Sequence, residues 1–138
     1  MDKVITEIDN LGVARVTLSN PEKHNAFDDQ IITQLTEAFS AVASNADVRV
    51  MVLGSEGKSF SAGADLDWMK RMANYSYDEN LQDAQALALM LKTLNELPQP
   101  SIARVQGAAF GGAVGLVSCC DMAVAATAAT FSLSEVKI

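Results

Sequence analysis

The chain has 138 residues, 49% hydrophobic and 20% charged, with 3 prolines and no monotonous segment; this suits one soluble globular domain and excludes a disordered chain. Its 17 acidic and 10 basic side chains give a net charge of −7, and no run of Lys and Arg is interleaved with aromatics, which argues against nucleic acid or an anionic membrane as partner. The charges of Asp2, Lys3, Glu7 and Asp9 do not fit a secretory signal, and the adjacent Cys119 and Cys120 would strain a disulfide and lack metal-ligand spacing, so a reducing cytoplasmic setting is expected.

Residues 3–9 alternate, "NLG" punctuates them, and "VARVTLS" alternates again from Val13, which predicts a β-hairpin. Asp28 or Asp29 is a candidate N-cap, and the spacing of Ile31, Ile32, Leu35, Ala38, Phe39 and Val42 predicts a helix over 28–43. "VRVMVLGS" (48–55) reads as a parallel strand covered on both faces. A short helix is expected over 66–73, then a longer one whose apolar positions are Leu81, Ala84, Leu87, Ala88, Leu91 and Leu94, stopped by Pro98 and Pro100. "SIARVQG" (101–107) reads as another buried strand, followed by a turn and helix, the strand "DMAVAAT", and a further strand or turn from "TFSLSEV". Alternation of strands and helices makes the class α/β in one domain. The uncharged stretch between Arg104 and Asp121 is rich in glycine and shorter than the roughly 20 residues a membrane span needs.

Two segments share a layout of strand, small-residue loop and helix: "VMVLGSEGKSFSAGADL" and "SIARVQGAAFGGAVGL". Amides at a helix start carry positive partial charge, and small residues let a ligand approach them, so two such loops side by side would make a two-donor oxyanion hole. The same glycines, Gly63, Gly111, Gly112 and Gly115, also suit turns and close helix packing. "GAAFGGAV" lacks the lysine of a phosphate loop and the G-x-G-x-x-G fingerprint, and no G-x-S-x-G elbow accompanies the single histidine, His24, which reads as a surface or ligand contact. Glu135 follows the uncharged "ATFSLS"; partial burial there would raise its pKa toward that of a working acid or base, and the alternative is a solvated strand-end carboxylate.

In order and spacing, "NPEKHNAF", "GKSFSAGADL", "VQGAAFGGAVGL", "CCDMAVA" and "FSLSEV" resemble the enoyl-CoA hydratase/isomerase, or crotonase, family over essentially the whole chain. The resemblance implies a spiral of ββα units, an acyl-CoA thioester as substrate, no metal, no cofactor apart from the coenzyme A of the substrate, and a homotrimer or hexamer. It places the oxyanion-hole amides at Ala64 and Gly112 and a catalytic carboxylate at Glu135. It also implicates Lys23, His24 and Ala26 of the "KHNAF" loop, and Ala62, Ala64, Asp65, Leu66 and Asp67, in holding the coenzyme A portion.

Hydratases of this family use two glutamates, and the position of the first is Gly115 here. Three readings follow: a hydratase drawing on another acidic group, a Δ3,Δ2-enoyl-CoA isomerase using Glu135 as its single base, or a non-catalytic acyl-CoA-binding or assembly subunit. The string "GAAFGGAVGLVSCCDMAVAA" is similar to bacterial hydratases acting on branched, methylglutaconyl-type acyl-CoAs, and a glycine at 115 would leave room for a branched chain. Family members are much longer than this chain, with C-terminal helices that close the acyl pocket and build the trimer. The 138 residues are therefore expected to be the N-terminal core, with an exposed apolar surface.

Overall fold

The computed structural model describes residues 2–137. Strands β1 (Val4–Ile8) and β2 (Val13–Leu18) form the expected antiparallel hairpin. Asp9 closes it: one carboxylate oxygen accepts the amides of Leu11 (2.9 Å) and Val13 (3.0 Å), and the other meets the Arg15 guanidinium at 3.0 Å. These bonds hold the Asp9 carboxyl below its ordinary value, the Val13 amide contributing most.

From β2 onward every neighbour in the main sheet is parallel. Strand β3 (Val50–Ser55) lies beside β2, β4 (Ser101–Val105) beside β3, and β6 (Met122–Ala125) beside β4, giving the order β1-β2-β3-β4-β6. Parallel strands need crossovers. Helix α1 (Asp29–Ala43) makes the first; α2 (Leu66–Met72) and α3 (Tyr77–Asn95) make the second; β5 (Ala109–Phe110) and α4 (Gly112–Cys119) make the third. Strand β7 (Phe131–Ser132) pairs with β5 in a small second sheet and leads into a 3-10 turn, Ser134–Lys137.

Asp28 is the N-cap of α1, accepting the Ile31 amide at 2.8 Å, and Ile31, Ile32, Leu35, Phe39 and Val42 are buried as their spacing predicts. They pack with Ala14, Val16 and Leu18 of β2, Met51 and Leu53 of β3, and Ala103 and Val105 of β4 in one core. Burying each large side chain contributes about 1.5–3 kcal/mol.

Two expectations are corrected. The central strands are covered on one face: their other face carries Arg15, Thr17, Val52, Gly54 and Arg104 around a cavity of about 360 Å³, because the core that the helices complete forms on the opposite side. Helix α3 seats only its C-terminal half, through Leu87, Met90, Leu91 and Leu94, whereas Leu81, Ala84 and Ala88 are exposed. The periodicity was real, but the contact with α1 and α4 selects a stripe one position round the helix, with Met90 on it.

Both cysteines are free, and burial pushes the Cys120 thiol up to about 11. Among the described residues no helix is long and apolar enough to cross a membrane. Every residue of β6 is exposed, and with Phe131, Leu133 and Val136 its Met122 and Val124 leave large apolar side chains open to solvent. Patches of this kind drive association. The 138-residue chain should therefore self-associate in dilute buffer; light scattering that returned a stable monomer of 14.7 kDa would contradict this.

Candidate active site

Three loops leave the C-terminal ends of β2, β3 and β4, and one buried side chain ties the first to the second. Asn25 has no exposed surface and a left-handed backbone (φ 53°), a conformation asparagine tolerates better than most residues. Its Oδ1 accepts the Asn20 amide (2.8 Å) and its Nδ2 donates to the carbonyls of Glu56 (2.8 Å) and Ser59 (3.0 Å). From the third loop, Gln106 donates to the carbonyls of Ser55, Gly57 and Ser59. The Ser59 carbonyl thus joins all three.

Backbone pairing extends the arrangement into a second layer. The Phe27 amide donates to Gly63 O and the Asp65 amide to Phe27 O, both at 2.7 Å. The Ser61 amide donates to Ala108 O and the Phe110 amide to Ser61 O, both at 3.0 Å, and the Gly111 amide reaches Ser132 O at 2.9 Å. Segments around residues 27, 61–64, 109–111 and 131–132 therefore lie side by side.

At the centre of this layer two glycines meet. Gly63 (φ 93°) and Gly111 (φ 57°) have backbones that side-chain-bearing residues rarely adopt, and a Cβ on Gly111 would sit 3.7 Å from Gly63 Cα and 2.5 Å from Glu135 Oε1. The Glu135 carboxylate therefore lies directly over Gly111. Ala64 and Gly112, the next residue after each glycine, have amides with no backbone acceptor among the described residues. A Cβ on Gly112 would lie 3.1 Å from the Phe27 ring, and Gly112 opens α4. The structure thus gathers Ala64, Gly112 and Glu135 around one apposition. The burial expected of Glu135 is not found: it is exposed, since β7 is two residues long and Leu133 and Val136 on either side of Glu135 are also open to solvent.

Beside it lies a cavity of about 500 Å³ lined by Lys23, His24, Ala26, Ala62, Ala64, Asp65, Leu66 and Asp67, together with Lys70. Lys23 Nζ is 3.4 Å from both Asp65 Oδ2 and Asp67 Oδ2, which raises its pKa, Asp65 contributing most. Asp65 caps α2 by accepting the Trp68 amide at 2.9 Å. Burial opposes ionisation of Asp65, but that amide and the Lys23 ammonium outweigh it and leave its carboxyl below the ordinary value. His24 Nδ1 is 3.0 Å from Ser59 Oγ, and His24 O accepts the Ala62 amide. Lys70, which the sequence reading missed, stands 3.9 Å from Asp67; the signal was its position one helical turn after Asp67.

A family model described as enoyl-CoA hydratase/isomerase matches residues 9–138. The chain belongs to the enoyl-CoA hydratase/isomerase family. It is 35% identical over 136 residues to the (E)-benzylidenesuccinyl-CoA hydratase of Thauera aromatica, covering 98% of this chain and 51% of that protein. To the mitochondrial Δ(3,5)-Δ(2,4)-dienoyl-CoA isomerase of mouse it is 33% identical over 137 residues, covering 91% of this chain and 41% of that one. The crystal structure of an enoyl-CoA hydratase from Shewanella pealeana superposes with a TM-score of 0.95 at 42% identity, covering 99% of this chain and 51% of its own. The chain has the crotonase fold and spans about half the length of these hydratases.

In this member of the enoyl-CoA hydratase/isomerase family, two features of the site can be tested by unfolding. Gly111→Ala forces an alanine to φ 57°, ψ −123°, a region costing on the order of 1–3 kcal/mol, and displaces the Glu135 carboxylate. Gly115→Ala, in helical backbone with only ordinary contact to Leu91, should be neutral or stabilising by up to about 1 kcal/mol. Urea midpoints showing equal effects would refute the distinction. Asp65→Ala should cost on the order of 1 kcal/mol at neutral pH. Because the folded pKa of Asp65 lies below 3.8, its charge-dependent contribution is present above that pH and fades as pH falls through the lowered value. The gap between the two proteins should accordingly narrow in acid, and a pH-independent gap would exclude an ionised cap.

Proposed function

We propose that the protein is an acyl-CoA enzyme that hydrates an enoyl-CoA through a thioester enolate. The observation that carries this reading is the Glu135 carboxylate over Gly111, beside the amides of Ala64 and Gly112, which have no backbone acceptor among the described residues. Those amides would hold the thioester oxygen, on which charge collects as the enolate forms; losing one such donor typically costs about 3 kcal/mol of transition-state stabilisation. Glu135 takes a proton from water as its oxygen bonds to C3, the C2–C3 π electrons form the C1–C2 bond of the enolate while the carbonyl pair moves onto the thioester oxygen, and the enolate collapses as protonated Glu135 returns that proton to C2, which completes the hydrated product and restores the carboxylate. The substrate carries the coenzyme A, and the step draws on neither a metal nor a separate cofactor. The cavity carrying Lys23, His24 and Lys70 beside Ala64 suits the anionic coenzyme portion.

A second reading is favoured by Gly115, where no carboxylate stands and the Leu91 methyls pack instead. Glu135 alone would then remove a proton from C2 of a 3-enoyl thioester and return it to C4, moving the double bond to C2–C3. Similarity of residues 107–126 to branched-chain hydratases supports a branched, methylglutaconyl-type acyl group, and the exposed apolar surface of β6 and β7 supports a homotrimer or hexamer. A cytoplasmic location belongs to the same proposal, resting on the two free cysteines, whose adjacency would strain a disulfide.

The test offers the intact protein 2-enoyl, 3-enoyl and branched glutaconyl thioesters and follows absorbance of the conjugated enoyl group. Loss of conjugation with water uptake identifies a hydratase, and gain from a 3-enoyl substrate identifies an isomerase. Glu135→Gln should bind acyl-CoA nearly normally and lose at least a hundredfold in turnover, on the order expected for a general base. Undiminished turnover would remove Glu135 from the mechanism.

A further inference from the structure

Strands β2, β3 and β4 bury alternate residues in the core, so the residues between them stand on the opposite, open face of the sheet. The register, carried one residue on from Leu53 opposite Ala103, puts Thr17, Gly54 and Arg104 in one row across the three strands. Arg15 and Val52 stand side by side in the row before it. These five residues, with Ser55 and Gln106 at one end, line the cavity of about 360 Å³ on that face. Ala64, Gly112 and Glu135 do not line it, so it is separate from the site already described.

Gly54 makes the cavity. A Cβ built there would meet no atom within 4 Å, and its backbone is not left-handed, so neither close packing nor a turn calls for glycine at this position. A glycine inside a strand weakens it and often marks a place where a ligand approaches closely. On one side of the notch Arg104 makes no hydrogen bond or ion pair among the described residues, and on the other the Thr17 hydroxyl makes none. Arg15 is held through one nitrogen by Asp9 at 3.0 Å, and Glu7, opposite it in the hairpin, forms no ion pair among the described residues. In a chain of net charge −7, Arg104 is therefore a cation without a carboxylate, beside an empty notch. The end wall is pre-formed, since Gln106 donates to Ser55 Oγ at 2.9 Å and to backbone carbonyls.

We propose that this cavity is a second binding site, for a small aliphatic carboxylic acid whose carboxylate lies over Gly54 between the Arg104 guanidinium and the Thr17 hydroxyl. Neighbouring strands lie about 4.8 Å apart, so β2 and β4 flank the notch at roughly 10 Å, a gap that an arginine side chain and one carboxylate close. A planar guanidinium takes a carboxylate through two parallel N–H···O bonds, and the hydroxyl donates a third. Arg15, already engaged by Asp9, adds attraction from the next row, and the half-buried Val52 beside it gives a short alkyl body an apolar floor. That floor favours an alkyl carboxylate over inorganic phosphate. The volume lies near the lower end of ligand pockets, roughly 300–1,000 Å³, which suits a small acid.

Equilibrium dialysis of the intact protein against radiolabelled butyrate at low ionic strength tests this without turnover. Saturable binding at a single class of site is expected. Arg104→Gln should weaken it at least about tenfold, the order of one charge-assisted pair. Gly54→Val, which fills the notch with a side chain suited to a strand, should weaken it as much. Arg49→Gln, the same charge change at a different cavity, should leave it unaltered. Inorganic phosphate should displace the label less well than unlabelled butyrate does. The proposal is overturned by absence of saturable binding, by binding unmoved in either Arg104→Gln or Gly54→Val, by an equal loss in Arg49→Gln, or by phosphate displacing as well as butyrate. None of these outcomes bears on the acyl-CoA reading.

Discussion

The hydrogen bonds of one buried side chain set the frame on which the site is built. Asn25 spends its amide on two carbonyls of the loop after β3 and its oxygen on the start of its own loop. With Gln106 converging on the same Ser59 carbonyl, the exits of β2, β3 and β4 are held at fixed separations. Leaving the buried Asn25 amide unpaired would cost on the order of 1–3 kcal/mol, so the first two loops have little freedom to drift apart. The pairing of Phe27 with Ala64, of Ser61 with Ala109 and of β5 with β7 follows from that fixed spacing, and so does the meeting of Gly63 with Gly111.

The charge distribution around this frame divides the work. A chain of net charge −7 places Lys23, His24 and Lys70 at one cavity, and holds Lys23 against Asp65 and Asp67. The neighbouring apposition is made of backbone amides and one carboxylate. Amides fixed by the Phe27–Ala64 bridge and by the start of α4 do not reorganise when charge develops near them, whereas long lysine side chains do. Under the proposed function the amides would meet charge that appears during a reaction, and the cavity, where Asp65 and Asp67 offset Lys23 and Lys70, charge already present on a ligand.

Local elements were legible because local physics decides them. The turn at "NLG", the cap at Asp28 or Asp29, the stripe from Ile31 to Val42 and the prolines after α3 each carry their signal within a few residues. The convergence of loops was legible only through the resemblance of five separated motifs to one family, since nothing in "SAGAD" or "FGGAV" alone says that the two meet. What stayed illegible depends on partners distant in sequence. The buried stripe of α3 is chosen by α1 and α4, the contact between Leu91 and Gly115 joins two helices, and the exposure of Glu135 depends on how short β7 is. Asn25 could have been suspected from its place in a tight loop, but two of its three bonds reach residues far along the chain, Glu56 and Ser59.

The parallel order of the main sheet also bears on how the molecule comes into being. Only the β1–β2 hairpin closes locally; Val13 must find Val50, and Met51 must find Ser101 across the whole of α2 and α3. Each such encounter bears the entropy of closing a long loop before any contact rewards it, and folds dominated by non-local pairing are correspondingly slow. The second layer can form only after the strands that feed it are in register. The cluster of Ala64, Gly112 and Glu135 is therefore the product of long-range pairings, and its geometry depends on the topology of nearly the whole chain.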